Sequence, residues 1–417
     1  MNQPAHDSFS IANPHALATI LEASQTRSII ASRDIFDLSG IKLWARDMPV
    51  SEALQRKLLD RQLRNPLESC LMAEDGVTAQ SLVTAIDALM AQDGPLQPLL
   101  APHAAKLARE AAQLPLHSVA QLLLTACQTS RPQSFDHAVQ AMALCGALMS
   151  AHGGSTAEVR IAMLAGLLHD LGEMYIDPRC GEADADHSLD VVSYQQLVVH
   201  PHIGQLLLTQ LTNYPAPLAR AVAEHHERLD GSGYPHLLQR DAVSPLGRML
   251  AVVEAALAVL RDGRPALSQV SVALRVVPGE FDLGWVSHVA AAARGTPEAQ
   301  ARLTVDELRQ RLHRLDSAMQ SARHSATTLL PDADTPALKQ AIELSAHLLS
   351  RLRTGLNASG LWNDGAVADQ DSAEIEAVED ELSFRLQAIE RAARLRAGEL
   401  PVADAERLNL LCESLRG

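Results

Sequence analysis

Apolar residues recur at helical spacing along most of the chain, which predicts a mainly helical protein. One such stretch begins at Ser155, where Glu158 completes a capping box, and continues through the apolar run 162–168. The run ends in His169 and Asp170. A buried helix has no structural reason to end in these two polar side chains. A metal ion is one reason, because imidazole nitrogen and carboxylate oxygen are common ligands of zinc, manganese and iron.

The first 76 residues are expected to form a small α+β module. Short β-favouring pieces flank residues 37–40, whose sequence Asp-Leu-Ser-Gly is typical of a hairpin turn. Ser51 then predicts the start of a helix that reaches about Arg64. A sensory or docking role and a purely structural role are both open for this module. Residues 77–132, which several prolines interrupt, are expected to be a helical connector.

The remaining two regions are both expected to be helical. Residues 133–286 predict a bundle, with one helix that extends to Arg228 and stops at the glycine-rich stretch 230–233. Residues 287–417 predict a C-terminal region with helices near 298–330, 335–356 and 372–397. The stripe of Leu308, Leu312 and Leu315 is typical of a core, with a homodimer seam as the alternative.

Composition and charge argue against several classes of partner and location. The 417 residues carry a formal net charge of −15, which argues against binding nucleic acid or an anionic membrane. Five scattered cysteines without a CxxC pair are typical of reduced thiols in a cytoplasmic protein. The N-terminus lacks the pattern of a signal peptide, and no apolar stretch reaches the roughly 18 residues that a membrane span needs. We therefore expect a cytoplasmic protein without a membrane partner.

Seven side chains from five separate places in the sequence form the candidate site. Successive positions are separated by about one helix and a loop, so an antiparallel bundle can bring them to one level of its core. Seven ligands exceed what one ion needs, and a carboxylate next to a histidine can bridge two ions. Two metals clamp a phosphate and make water nucleophilic, which points to phosphodiester hydrolysis. The candidates are His137, His169, Asp170, His200, His225, His226 and Glu254.

Several segments of the sequence also resemble a known protein family. His169-Asp170 together with the run His225–Pro235, HHERLDGSGYP, resembles the HD-GYP family of cyclic di-GMP phosphodiesterases. Residues 200–204 resemble the HPxxG segment of that family, and residues 245–252 resemble the stretch before its last acidic ligand. The resemblance covers about residues 133–265 and implies a helical bundle of the HD superfamily.

The resemblance implies a role for each matching residue. One divalent metal would be held by His137, His169, Asp170 and Glu254, and a second by Asp170, His200, His225 and His226. Iron or manganese is expected, with zinc, magnesium and nickel as alternatives. Asp170 and His169 would be the catalytic pair, and a water bridging the metals would attack the phosphorus of cyclic di-GMP. Substrate-binding residues would be Gly233, Tyr234, Pro235, Glu173 and Arg264.

Three departures from the family pattern bear on activity. Glu173 stands where the family usually has lysine, Glu254 replaces the usual aspartate, and Gln133 replaces the glutamate of members with a third metal. Two metals at most are therefore expected. The charge reversal at Glu173 leaves two functions open: an active cyclic di-GMP phosphodiesterase, or a catalytically impaired member that acts as a cyclic di-GMP receptor or binds protein partners through its terminal regions. An HD-superfamily hydrolase of another nucleotide is a third hypothesis.

Overall fold

The computed structural model describes residues 9–181, 191–261, 266–296, 301–358 and 372–415. Contacts divide this part of the chain into two units. The first comprises residues 9–181, 196–226 and 243–254, and the second comprises the remaining described residues.

Helices make up most of both units, as the fold-class prediction requires. Those up to residue 224 are α1 (Pro14–Ala23), α2 (Glu52–Leu58), α3 (Ala79–Met90), α4 (Gln97–Leu100), α5 (Ala104–Ala111), α6 (Ser118–Ser130), α7 (Pro132–Ala151), α8 (Thr156–Leu168), α9 (Val191–Leu197), α10 (His200–Leu211) and α11 (Ala216–Glu224). The later helices are α12 (Pro245–Arg261), α13 (Leu267–Ala273), α14 (Leu283–Ala293), α15 (Val305–Leu329), α16 (Pro336–Ala358), α17 (Ser372–Ala397) and α18 (Val402–Ser414).

Four short strands form two antiparallel pairs in the N-terminal module. Strand β1 (Ile29–Ala31) pairs with β4 (Leu71–Ala73), and β2 (Ile35–Phe36) pairs with β3 (Lys42–Trp44). The β2–β3 pair is the predicted hairpin. Its turn is closed by Asp37, whose carboxylate accepts hydrogen bonds from Ser39 Oγ at 2.7 Å and from the Ile41 amide at 2.8 Å. This short polar side chain replaces the backbone partners that a turn lacks.

Helices α7 and α8 pack closely because glycine occupies their contact points. A Cβ on Gly166 would lie 2.5 Å from Ala141 O, and one on Gly146 would lie 2.7 Å from Met163 Cγ. The helix α8 begins at the predicted capping box, in which Ser155 Oγ accepts from the Glu158 amide. This close packing places the C-terminal end of α8 against the middle of α7.

A set of hydrogen bonds links the N-terminal module to the segment that follows α8. That segment is a 3₁₀ turn, Leu171–Tyr175. Tyr175 Oη donates to the buried Glu68 carboxylate at 2.6 Å, and Asn13 Nδ2 donates to Tyr175 O at 3.1 Å. The guanidinium of Arg131 donates to Glu173 O at 2.9 Å and to Thr19 Oγ1 at 3.2 Å. The first 76 residues are therefore part of the support of this turn.

The second unit has its own apolar core, built from α15, α16, α17 and α18. Leu308 and Leu315 are buried in it, and Leu312 packs against it. The leucine stripe of α15 is thus a core stripe.

Three helix predictions were wrong at their ends. Helix α2 stops at Leu58 and not at Arg64, because Asp60 takes a left-handed conformation with φ 57° and residues 62–64 pair with the hairpin. Helix α11 stops at Glu224 and does not reach Arg228. Helix α15 begins only at Val305, where Thr304 and Glu307 form a capping box.

Helix α18, which directly follows Pro401, was not predicted. Across the described ranges, none of the helices combines the length and the apolar character that crossing a membrane requires.

We expect Glu68→Gln to flatten the pH dependence of stability. Burial raises the pKa of Glu68 even though Tyr175 donates a hydrogen bond to it. The folded protein therefore holds this proton more tightly than the unfolded chain does. The resulting stability is fully present below the ordinary glutamate pKa and is lost as the pH rises through the raised value.

Urea unfolding across this pH range measures the effect. The stability of the wild type relative to Glu68→Gln should fall as the pH rises, because only the wild type loses the contribution of the protonated Glu68. Glu343→Gln, a change at an exposed position of α16, is the matched control. An unchanged slope in Glu68→Gln would contradict the explanation.

Candidate metal centre

The seven predicted ligands converge in the first unit. His137 projects from the middle of α7, His169 and Asp170 follow the end of α8, and Glu254 lies in α12. His200 opens α10, and His225 and His226 follow the end of α11. Their ligand atoms form two groups of four, in each of which all atoms lie within 4.8 Å of one another. The groups are His137, His169, Asp170, Glu254 and Asp170, His200, His225, His226.

Asp170 belongs to both groups and faces each with a different oxygen. Its Oδ2 lies 3.0 Å from His169 Nε2 and 3.4 Å from His137 Nε2. Its Oδ1 lies 3.3 Å from His225 Nε2 and 3.4 Å from His200 Nε2. This is the arrangement of a carboxylate that bridges two ions.

Glu254 completes the first group. Its Oε2 lies 2.9 Å from His137 Nε2 and 3.2 Å from His169 Nε2. Several ligands of both groups are buried, among them Glu254, His169, His200 and His225. Their charges and dipoles are therefore shielded from water.

Three of the histidines are oriented by the same local device. The Nδ1 atoms of His169, His200 and His225 lie 2.7, 2.7 and 2.6 Å from the carbonyl oxygens of the residues three positions earlier. A carbonyl oxygen only accepts, so each Nδ1 must carry the hydrogen and donate it. The carbonyls are those of Gly166, Leu197 and Val222, at the ends of α8, α9 and α11. In the neutral ring, Nε2 then presents a lone pair.

His200 and His225 both carry their hydrogen on Nδ1, and their Nε2 atoms lie 3.0 Å apart. Two lone pairs at this distance repel, and the adjacent Asp170 adds negative charge. In the other group, His137 Nε2 lies 3.2 Å from His169 Nε2 beside the carboxylates of Asp170 and Glu254. A cation among these atoms would turn the repulsion into attraction, so the donor set fits divalent metal ions that take imidazole and carboxylate ligands.

The pKa values show how strongly the groups interact. Burial opposes the charge on His169, but Asp170 and Glu254 outweigh burial and raise the pKa of His169 well above its ordinary value. Burial also opposes the charge on Asp170, but His169, His137 and His200 hold the pKa of its carboxyl well below the ordinary value. Burial, and then His226, lower the pKa of His225 to about 3. His225 therefore stays a neutral imidazole, the form that binds metals.

The expected substrate-binding residues are placed differently. Glu173 is buried in the 3₁₀ turn that follows Asp170, and among the described residues it belongs to neither group of four. Arg179, six residues after Glu173, forms an ion pair with Asp177 at 2.6 Å. Gly233, Tyr234 and Pro235 lie in a turn of the second unit. Arg264 lies outside the described residues. All five roles stay predictions.

Sequence reasoning gave no role to Glu227, although it belongs to the HHExxDGxGYP run. Its carboxylate accepts from the amide of His236 at 2.7 Å and from the amide of Leu238 at 2.8 Å. It thereby closes the loop that carries Gly233, Tyr234 and Pro235. The signal that could have revealed this role is an acidic residue directly before a loop rich in glycine, where backbone amides lack partners.

Loss of Asp170 should affect both groups, whereas loss of another ligand should affect one. We expect protein purified without chelator to hold about two metal ions per chain, His137→Ala and His200→Ala to hold about one each, and Asp170→Ala to hold the fewest. Elemental analysis of the purified proteins measures the ratio. His152→Ala, at an exposed position just after α7, is the control. Equal metal contents in Asp170→Ala and the wild type would contradict the shared role of Asp170.

Comparison with known proteins agrees with this geometry. Residues 120–276 match the family model described as "HD domain". "Cyclic di-GMP phosphodiesterase PA4108" of Pseudomonas aeruginosa is 31% identical over 217 residues, which cover 52% of this chain and 50% of that protein. "Cyclic di-GMP phosphodiesterase response regulator RpfG" of Xanthomonas campestris pv. campestris is 35% identical over 103 residues, 24% of this chain and 27% of that protein.

A third relative, "3'3'-cGAMP-specific phosphodiesterase 3" of Vibrio cholerae, is 30% identical over 90 residues, 22% of this chain and 19% of that protein. The chain thus spans no more than half the length of these three relatives. The matched region begins in α6 and contains all seven candidate ligands. Residues 120–276 therefore form an HD domain, which confirms the family that the His-Asp pair and the HHExxDGxGYP run predicted.

Proposed function

We propose that the chain is a metal-dependent phosphodiesterase that hydrolyses cyclic di-GMP. The observation that carries this proposal is the pair of four-residue groups joined by the two oxygens of Asp170. Two relatives are named cyclic di-GMP phosphodiesterases, which supports the choice of substrate. The proposed site comprises His137, His169, Asp170, His200, His225, His226 and Glu254, as the sequence predicted.

The residues of the chain would hold and orient the metals. Two divalent ions in such a site supply Lewis acidity toward a phosphate group and make water nucleophilic at neutral pH. The carbonyls of Gly166, Leu197 and Val222 keep three imidazoles in the tautomer that offers Nε2. Asp170 spans both groups and fixes their spacing. Burial of the ligands lowers the local dielectric and strengthens each electrostatic interaction with a phosphate.

Iron or manganese is the expected metal, as the resemblance to the HD-GYP family implies, and imidazole and carboxylate ligands are compatible with both ions. Zinc, magnesium and nickel are the alternatives. The cytoplasm is the expected location. We infer that the protein acts on a diffusible nucleotide and not on nucleic acid, because its net charge of −15 disfavours a polyanion outside the site.

A second candidate function is a cyclic di-GMP receptor or protein-interaction module without catalysis. The observation that favours it is Glu173, a buried acidic side chain three residues after Asp170. An additional negative charge at this point opposes the approach of a phosphate. At about 4 Å and an effective dielectric constant near 20, a pair of unit charges interacts by about 4 kcal/mol. The domain would then bind cyclic di-GMP or a protein partner without hydrolysing the nucleotide.

Turnover of cyclic di-GMP tests the choice between the two functions. We expect protein loaded with manganese or iron to convert cyclic di-GMP to the linear dinucleotide or to GMP. Asp170→Ala should lower kcat/KM by roughly a hundredfold or more, because several kcal/mol of transition-state stabilisation depend on the metals. Product formation is followed by liquid chromatography.

The His152→Ala variant should keep the activity of the wild type, since this exposed histidine lies outside both groups. Binding of cyclic di-GMP without turnover, in protein shown to hold its metals, would contradict the enzyme and support the receptor. Faster turnover of 3'3'-cGAMP than of cyclic di-GMP would identify 3'3'-cGAMP, which the name of the third relative gives as its substrate, as the preferred substrate.

A further inference from the structure

Glu224, the last residue of α11, is a buried acidic residue without a role in the chemistry described so far. Only 3% of Glu224 is exposed, and it directly precedes the ligands His225 and His226. Within the described ranges it belongs to neither group of four. A buried carboxylate is unfavourable unless hydrogen bonds or ion pairs compensate for its lost hydration. The partners of Glu224 therefore indicate what this residue does.

Glu224 joins the end of α11 to the start of α12. Its Oε2 accepts hydrogen bonds from the Ser244 amide at 2.8 Å and from Ser244 Oγ at 2.5 Å. Ser244 immediately precedes α12, and its Oγ accepts from the Gly247 amide at 3.1 Å, as at an N-cap. The carboxylate thus lies at the N-terminal end of α12, where the helix dipole favours negative charge.

The close approach of the two helices at this point requires glycine at position 247. A Cβ on Gly247 would lie 2.4 Å from Glu224 Oε2 and 2.8 Å from Glu224 Cβ. Non-bonded carbon contacts are most favourable at about 3.5–4.0 Å, so a larger residue would force the first turn of α12 away from Glu224. Hydrogen bonds and close packing therefore hold the same two helix ends together.

This junction connects the two groups of candidate ligands. Helix α11 leads directly into His225 and His226 of the second group, and α12 carries Glu254 of the first group. Glu254 lies ten residues after Ser244, which is about 15 Å along a helix. A tilt of about 4° at the start of α12 would therefore move Glu254 by about 1 Å, whereas ligand distances in metal sites vary by only about 0.2 Å.

We propose that Glu224 is a positioning residue of the metal centre. By binding Ser244, it fixes the start of α12 on the end of α11 and so places Glu254 in the first group. In this role Glu224 contacts neither the metals nor the substrate. The inference rests on the proposed function in so far as both require a centre that holds two metals.

The affinity for manganese tests the proposal. Full-length protein is dialysed against buffers of fixed free manganese concentration, and elemental analysis measures the bound ions. Ser244→Ala removes the hydroxyl that donates to Glu224 and changes no charge, and it should bind one of the two ions about tenfold more weakly than the wild type does. Gly247→Ala, which separates the two helix ends by bulk, should weaken the same ion. Ser244→Thr keeps a hydroxyl at this position and should retain the affinity of the wild type.

Ligand variants identify which ion is weakened. His200→Ala should keep the ion of the first group, and His137→Ala should keep the ion of the second. Adding Ser244→Ala to His200→Ala should weaken the remaining ion about tenfold, because that ion depends on Glu254. Adding it to His137→Ala should leave the remaining ion nearly unchanged. A purely structural role of Ser244 would affect both ions alike, so the difference between the two backgrounds isolates positioning.

The control is Arg220→Ala. Arg220 Nε donates to Glu224 Oε1 at 2.7 Å, and this bond lies within α11. The variant should bind both ions as the wild type does, and melting curves check that every variant is folded at the temperature of the dialysis. A loss of affinity in Arg220→Ala equal to that in Ser244→Ala would show that the junction with α12 is not what determines the affinity, and would contradict the proposal.

Three further results would overturn the proposal: wild-type affinity for both ions in Ser244→Ala, equal weakening in the two ligand backgrounds, or weakening that persists in Ser244→Thr. Failure of the proposed function looks different. If Ser244→Ala weakens the first ion but the metal-loaded wild type never hydrolyses cyclic di-GMP, the positioning role stands and the phosphodiesterase does not. If the wild type hydrolyses cyclic di-GMP and Ser244→Ala keeps both affinities, the phosphodiesterase stands and the positioning role does not. A wild type that binds neither manganese nor iron would contradict both.

Discussion

The structure depends most on the mutual approach of imidazole lone pairs around one carboxylate. The Nε2 atoms of His200 and His225 lie 3.0 Å apart, and those of His137 and His169 lie 3.2 Å apart. Backbone carbonyls fix the hydrogen of both His200 and His225 on Nδ1, so this pair cannot form a hydrogen bond unless one ring takes up a proton. Such a buried set is costly by itself and becomes favourable around cations. Its cost is therefore an argument for a metal-binding function.

The ends of the helices orient the histidines. His169, His200 and His225 each stand at a helix terminus, where unsatisfied carbonyls are available to accept from Nδ1. The close packing at Gly166 holds the end of α8 against α7, which carries His137. Tyr175, Glu68 and Arg131 then anchor the turn that follows Asp170. The N-terminal module thus supports the turn that follows Asp170. This contact gives a structural role to Glu68, a buried ionisable residue in a module for which the sequence indicated no chemistry.

Much of this could be predicted from the sequence, and the failures have physical reasons. The ligand set was visible because histidines and acids at intervals of one helix and a loop rarely occur together unless they bind a common ion. The capping box at Ser155 and the hairpin turn at Asp37 were visible because each is a local interaction. The end of α2 was not, since the pairing of residues 62–64 with the hairpin depends on tertiary structure. The closure of the Gly-Tyr-Pro loop by Glu227 likewise depends on the folded loop. The end of α11 was missed although the bond from His225 Nδ1 to Val222 O, just beyond it, is local.

The most direct test of the account is the position of the metals themselves. Crystals of protein purified without chelator should give anomalous scattering at the absorption edge of the bound element. Two peaks are expected, one beside His137, His169 and Glu254 and the other beside His200, His225 and His226, with one oxygen of Asp170 facing each. A single peak, or peaks distant from Asp170, would contradict it.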